Sequence, residues 1–144
     1  VSLGETENNI TVKIKHFGVN DTGNDEHHET VVQNIPLQKW VNLTISTFGK
    51  SLDIYLNGKL YKTSLLPNPP KPDTEDTPVM ITPGGGFSGW TTNFLYTPSP
   101  TNPQQAYNIY KKGYGGSMLG NIFNKYRLRI QVLSDNEVTG GIEF

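Results

Sequence analysis

Cysteine is absent from this chain, so neither a disulfide framework nor a cysteine-ligated zinc site can hold it together. A reducing compartment favours such a composition. Charge of one sign is also lacking: 12 basic against 13 acidic residues leave a net charge of −1. A chain so balanced has no electrostatic footprint for nucleic acid or for an anionic membrane surface. No apolar run approaches the roughly 20 residues needed to span a bilayer, and no signal peptide is visible. The chain begins at Val1 rather than methionine, the mark of a processed or excised part of something longer. A membrane segment upstream of Val1 stays compatible with the sequence.

What is present points to strands and turns. The 144 residues are the size of one domain, and 15 glycines and 10 prolines with only 17% charged residues suit an all-β fold. The organising stretch runs from Lys39 to Lys62. In Trp40–Ser46, Val41, Leu43 and Ile45 alternate with Trp40, Asn42, Thr44 and Ser46, the period of a half-buried strand. Phe48-Gly49-Lys50-Ser51 supplies a turn, after which Leu52, Ile54 and Leu56 point inward and Asp53, Tyr55 and Asn57 outward. Asn57-Gly58 suits a two-residue type I′ hairpin, because both central residues need positive φ. Lys59-Leu60-Tyr61-Lys62 then returns as the partner strand.

The rest of the chain is placed around that hairpin. Ile10, Val12 and Ile14 alternate with Thr11, Lys13 and Lys15 in a strand with one wet face. A polar loop is expected from Gly18 to His28, and a short strand from Thr30 to Ile35, closed by Pro36. Pro67–Pro78 holds five of the ten prolines and reads as an extended, semi-rigid surface loop. Val79-Met80-Ile81 is expected as a short strand, Thr82-Pro83-Gly84-Gly85-Gly86 as a breaker, and Phe87–Tyr96 as a further strand. Gly89 there marks a bulge or a close backbone approach.

Pro103–Lys112 is the one good helix, capped by Asn102 or Thr101, with Pro103 at its first position and Gly113 just past its end. Ala106, Ile109 and Tyr110 share a face, and Lys111 and Lys112 sit near the negative end of the dipole. Tyr114–Asn124 is a glycine-rich connector. Tyr126–Leu133 alternates again, with Leu128, Ile130 and Val132 opposite Arg127, Arg129 and Gln131. A turn at Ser134-Asp135-Asn136 lets Glu137–Phe144 pair back.

The order I-P-L-Q-K-W-V-N-L (35–43), S-L-D-I-Y-L-N-G-K-L (51–60), G-F-S-G-W (86–90) and A-Y-N-I-Y-K-K-G (106–113) resembles the laminin-G-like, concanavalin A-like jelly roll. The resemblance covers about residues 10–113. It implies an all-β, two-sheet antiparallel sandwich with one short surface helix. Residues 1–113 would form most of the domain, with the family's opening strands missing, and 114–144 a connector and the strands completing it. The tail I-Y-K-K-G-Y-G-G-S-M-L-G-N-I-F-N-K-Y-R-L-R-I-Q-V-L-S-D-N (109–136) resembles jelly-roll proteins of large double-stranded DNA viruses, such as those of algae. That implies a minor capsid or capsid-associated protein located in the virion, with other capsid proteins as partners.

Some members of the wider fold family hydrolyse glycosides with an E-x-D-x-x-E strand, whose carboxylates flank the scissile bond. No such string occurs here, and Glu5-Thr6-Glu7 and Asp73-Thr74-Glu75-Asp76 lie in polar or proline-rich segments. A non-catalytic domain is expected. Asp25-Glu26-His27-His28-Glu29 is the most metal-like cluster, yet neighbours on an extended segment face opposite sides, so it reads as an exposed acidic loop. Asp53-Ile54-Tyr55-Leu56-Asn57 echoes a lectin calcium string, but the hairpin explains Asn57. No cofactor is expected; calcium at a sheet edge stays open within this family, with no ligands assignable.

Trp40, Tyr55, Tyr61 and Trp90 are the candidate contact residues, as anchors for a protein partner or platforms for sugar rings. Closing the edges of the sandwich is the competing role for Trp40 and Trp90. The alternative function is therefore a carbohydrate-binding module of a secreted or cell-surface protein. Lys125, Arg127 and Arg129 form a solvated basic face too small for nucleic acid. Acceptor triplets for glycosylation at Asn9, Asn20 and Asn42 matter only if the protein is secreted.

Overall fold

A computed structural model describes residues 1–4, 6–18, 26–72, 78–114, 129–134 and 137–143, the last two segments by their backbone. The chain divides into two compact units, Val1–Tyr110 and Lys111–Phe144. The first unit is built from two three-stranded antiparallel sheets. One has the order β1 (Ser2–Leu3), β2 (Ile10–His16), β3 (Glu26–Val32); the other has β4 (Leu43–Phe48), β5 (Ser51–Leu56), β6 (Lys59–Leu65).

The expected strand at residues 10–15 is β2. Its partner β3 starts earlier than the sequence suggested: Glu26, His27 and His28 are strand rather than loop. The registry explains this, since Lys13 lies opposite Glu29 and the two form an ion pair across the strands. β3 ends at Val32 rather than Ile35, because Asn34 turns left-handed at φ 57° and the Ile35 amide donates to the Asn8 carbonyl (2.7 Å).

In the second sheet β4 begins at Leu43, not Trp40. Asn42 and Asn57 bind each other twice, Asn57 N to Asn42 O (2.8 Å) and Asn42 N to Asn57 Oδ1 (3.0 Å), which closes the hairpin beyond its turn. The Asn57-Gly58 turn has φ of 51° and 73°, as a type I′ turn requires. β6 carries a bulge at Tyr61, where the register to β5 slips between Ile54 and Tyr55.

The two sheets bury Ile10, Val12, Val32, Leu52, Ile54 and Leu66 between them, with Ile14, Ile35, Leu43, Ile45 and Leu56 packed around. Each alternation therefore does what its period demands. Polar links tie the sheets at the margin of this core: Thr30 Oγ1 and Ser64 Oγ are 3.1 Å apart, and the Gln33 amide donates to the Tyr61 hydroxyl (3.0 Å). His16 is buried at the end of β2, its Nδ1 donating to the Phe17 carbonyl (2.8 Å).

The first part of the proline-rich loop is a strap laid along β2. Pro70 bridges His16, Lys71 N donates to Lys15 O (3.0 Å), and Asn68 Nδ2 donates to the carbonyls of Phe17 (3.0 Å) and Gly18 (3.1 Å). Residues 73–77 of that loop lie outside the described residues.

Helix α1 (Pro103–Lys111) lies against the Asn57-Gly58 turn, with Tyr107 and Tyr110 beside Gly58. Its cap is Asn102: Gln105 N donates to Asn102 Oδ1 (2.8 Å) and Asn102 N to Gln105 Oε1 (2.9 Å), a reciprocal capping box. Ala106 is buried, and Gly113 follows with φ 72°. The rings of Tyr107 and Tyr110, three residues apart on the helix, are tilted at 44° to each other with centroids 6.4 Å apart.

Two expected strands are absent. Val79–Ile81 and Phe87–Tyr96 have no strand partner and run as exposed coil around a single 3-10 turn at Pro83–Gly85. Positive φ at Thr82, Gly84, Gly85, Gly86 and Asn93 breaks the extended run repeatedly. Gly89 lies in coil and marks no strand bulge; what lies close to it is the ring of Phe87, not a backbone.

In the second unit, β7 (Arg129–Ser134) and β8 (Glu137–Glu143) form the expected antiparallel hairpin, with a register shift between Val132 and Leu133. The connector 115–124, the basic residues Lys125 and Arg127, and the turn residues Asp135 and Asn136 lie outside the described residues.

A methyl group at position 58 would sit 2.9 Å from Tyr110 Cβ and 3.0 Å from Tyr107 Cα, in a backbone conformation already unfavourable for side chains. Gly58→Ala is therefore expected to cost about 2–4 kcal/mol. Gly49→Ala, at φ 55° with nothing within 4 Å, is the control and should cost only about 1–2 kcal/mol. Urea unfolding of both variants reads the difference; equal costs would show that α1 does not seat on the hairpin.

Candidate functional site

The four aromatic candidates do not form one surface. Tyr55 points away from Leu52 and Ile54 as its alternation requires, yet it is 1% exposed. The expectation that it reaches solvent is corrected, because that face of the sheet is covered by the chain entering α1. The Tyr55 hydroxyl donates to the Thr101 carbonyl (3.4 Å), and the Thr101 amide donates to the buried Ser46 Oγ (2.8 Å). Burial, and secondly the Asp53 carboxylate nearby, push the Tyr55 hydroxyl pKa up. Tyr61 stands on the β6 bulge with its hydroxyl engaged by Gln33, and Trp40 lies ahead of β4 and is half-exposed. Trp90 is 86% exposed.

The metal-like cluster is dispersed by the pleat. His27 and Glu29 share the outer face with Lys15 and Lys13, while Glu26, His28 and Thr30 share the inner one with His16, Ile14 and Val12. His28 Nε2 lies 3.2 Å from Thr30 Oγ1, and the Glu29 carboxyl is held below its usual pKa by the hydrogen bond and charge of Lys13. Among the described residues no group of three or more histidine and carboxylate side chains is gathered as metal ligands would be; Asp25 lies outside them. Asp53 accepts from Thr63 Oγ1 (2.6 Å) and Ser51 Oγ (3.5 Å), and Asn57 Oδ1 is occupied by Asn42, so the calcium-like string serves the hairpin.

Of the acceptor asparagines, Asn9 is tied to Glu7 and to the Asn34 amide, and Asn42 Oδ1 accepts from Thr44. Asn20, Glu5 and Asp73–Asp76 lie outside the described residues. A shallow, open depression of about 340 Å³ on the first sheet is lined by Thr6, Glu7, Asn9, Thr11 and Gln33 with Gly4 and Val31. It carries no aromatic ring. No helix among the described residues is long and apolar enough to cross a membrane.

The feature that residue patterns alone did not single out is the arm between the strap and α1. Val79, Met80, Ile81, Phe87, Trp90, Phe94, Leu95 and Tyr96 are each at least 45% exposed. Their apolar side chains face solvent along a single stretch of coil. The signal was there to find: between Asp76 and Lys111 the sequence has no charged residue and no histidine.

Because the folded-state pKa of Tyr55 is raised, its contribution to stability is full below its ordinary value of about 10 and is lost as pH rises through the folded value. Tyr55→Phe should remove that alkaline loss, and urea unfolding between about pH 9 and 11 measures it against the parent chain. Identical alkaline slopes would place Tyr55 in water.

Comparison with family models, with curated proteins and with solved structures finds no match to this chain.

Proposed function

We propose that this chain is a non-catalytic structural domain that makes protein–protein contacts, in a sandwich of the concanavalin A-like jelly-roll type. The observation that carries the reading is the arm at residues 79–96, apolar, aromatic and free of charge, held out from the sandwich. Interface centres have that composition: aromatic and methionine side chains are enriched and charges depleted. The setting we propose is the shell of a large DNA virus, as a minor capsid or capsid-associated protein, on the tail resemblance at 109–136. Partners are then other capsid proteins, and the location is the virion.

The carbohydrate-binding alternative draws on Trp40 and Trp90. The depression on the first sheet offers hydroxyl, amide and carboxylate groups but no ring for a pyranose face, so in this reading stacking falls to exposed side chains such as Trp40 and Trp90.

Isolation of the native protein with its partners tests the reading. Co-purification with a major capsid protein is expected, and Trp90→Ala should weaken recapture by roughly tenfold or more if Trp90 is a central anchor. A glycosylated protein recovered alone from culture medium, and retained on a glycan array through Trp40 and Trp90, would replace this reading with the sugar-binding one.

A further inference from the structure

Asn57 is the only asparagine of the chain that a glycine follows. Asparagine side chains reach neighbouring backbone groups readily, and glycine puts no Cβ in the way of its own nitrogen. The pair is therefore the one most open to loss of ammonia, the reaction that makes asparagine thermolabile. Hydroxide takes the proton of the Gly58 amide, and the nitrogen attacks Asn57 Cγ. A C–N bond forms and the Cγ–Nδ2 bond breaks, Nδ2 leaving as ammonia with a proton returned by water. A second water opens the resulting five-membered imide at one of its two carbonyls, which leaves aspartate or isoaspartate at position 57.

The fold opposes this reaction in two ways. The Asn42 amide holds Asn57 Oδ1 (3.0 Å), and the Asn42 carbonyl holds the Asn57 amide (2.8 Å), so the side-chain carbonyl is fixed in place. Ring closure also requires the Asn57–Gly58 peptide to rotate until its nitrogen stands over that carbonyl. Gly58 is buried, and the space beside it is filled by Tyr110 Cβ and Tyr107 Cα, 2.9 and 3.0 Å from an ideal Cβ. With α1 in that position the peptide has no room to turn. The helix itself is lightly held. Ala106 is its one buried residue, and its entry is fixed by the Asn102–Gln105 capping box and the Thr101–Ser46 bond. An element with so little apolar burial opens locally at a cost below that of unfolding the whole unit.

We infer that Asn57 is a latent deamidation site, shut while α1 sits on the hairpin and opened when the helix lifts. The substrate is the chain itself and the co-reactant is water. Isoaspartate adds one carbon to the main chain, so a two-residue turn cannot re-form over it and α1 loses its seat. A transient opening thereby becomes a permanent change in the hairpin. The inference is independent of what the chain binds and goes beyond the proposed function.

Mass spectrometry of digests tests this by following conversion at Asn57 in the full chain, at mildly alkaline pH, in native buffer and in unfolding urea. The native chain is expected to convert roughly tenfold or more slowly than the unfolded one. Asn102→Ala removes the helix cap and should speed native conversion roughly threefold or more. Ile10→Val trims the core on the first sheet at a comparable cost in stability. It should leave the native rate near that of the parent chain, because the helix lifts without the sheets parting. Equal rates in native buffer and urea would overturn the inference, as would no conversion in urea. A rate unmoved by Asn102→Ala, or raised equally by both variants, would show that α1 is not the gate and overturn it as well.

Discussion

The hairpin turn and the helix meet backbone to backbone, and that close approach governs the first unit. Gly58 has no room for a side chain because Tyr107 and Tyr110 of α1 lie directly over it. Three features hang on the contact. The type I′ turn keeps its geometry only with small residues at positive φ, the helix is brought flush against the sheet, and the face that carries Tyr55 and Ser46 becomes an interior. The capping box at Asn102 and the Thr101–Ser46 bond then fix where the helix begins, so that Ala106 faces inward. Ser46 of β4 and Tyr55 of β5 are thereby buried on the side of the sheet that the chain entering α1 covers.

The composition of the chain divides along the same line. Charged side chains decorate β2, β3, β5 and β6, where they pair across strands or meet water, as Lys13 does with Glu29. The long neutral stretch that follows keeps its backbone outside both sheets. Such a division separates a part that folds on its own apolar core from a stretch whose apolar residues, Ala106 and Ile109 of α1 apart, are exposed.

Where periodicity and turn chemistry agreed, the fold was legible. Ile10–His16, the Asn57-Gly58 hairpin and the helix at Pro103 follow from alternation, positive φ and capping residues, all local properties of the chain. Tyr55 shows what local pattern leaves out. Its direction follows from the pleat, but its hydroxyl is met by Thr101, 46 positions away in the chain entering α1, and no period of two reports that. β3 was misjudged for a related reason: Glu26–Glu29 looks like a loop until Lys13 and Lys15 are set opposite it. The arm was misjudged in the other sense, since its residues are strand formers and strand structure needs a partner as well as propensity. Among the candidate contact residues, Trp90 could be named from its type; the neutral surface around it emerges only when burial is known.

The strap along β2 has a consequence for how the two sheets are held together. The hairpin β4–β5–β6 closes over short loops, whereas Asn68 reaches Phe17 across 51 positions of sequence and Thr101 reaches Ser46 across 55. Loop closure grows only slowly more costly with length, by about 0.6 kcal/mol per doubling, so distance alone does not rank these steps. Lys71 donates to Lys15 of β2, and Lys50 of the β4–β5 turn holds the Pro67 carbonyl. The strap is thus tied at one end to β2 and at the other to the β4–β5 turn, and so links the two sheets.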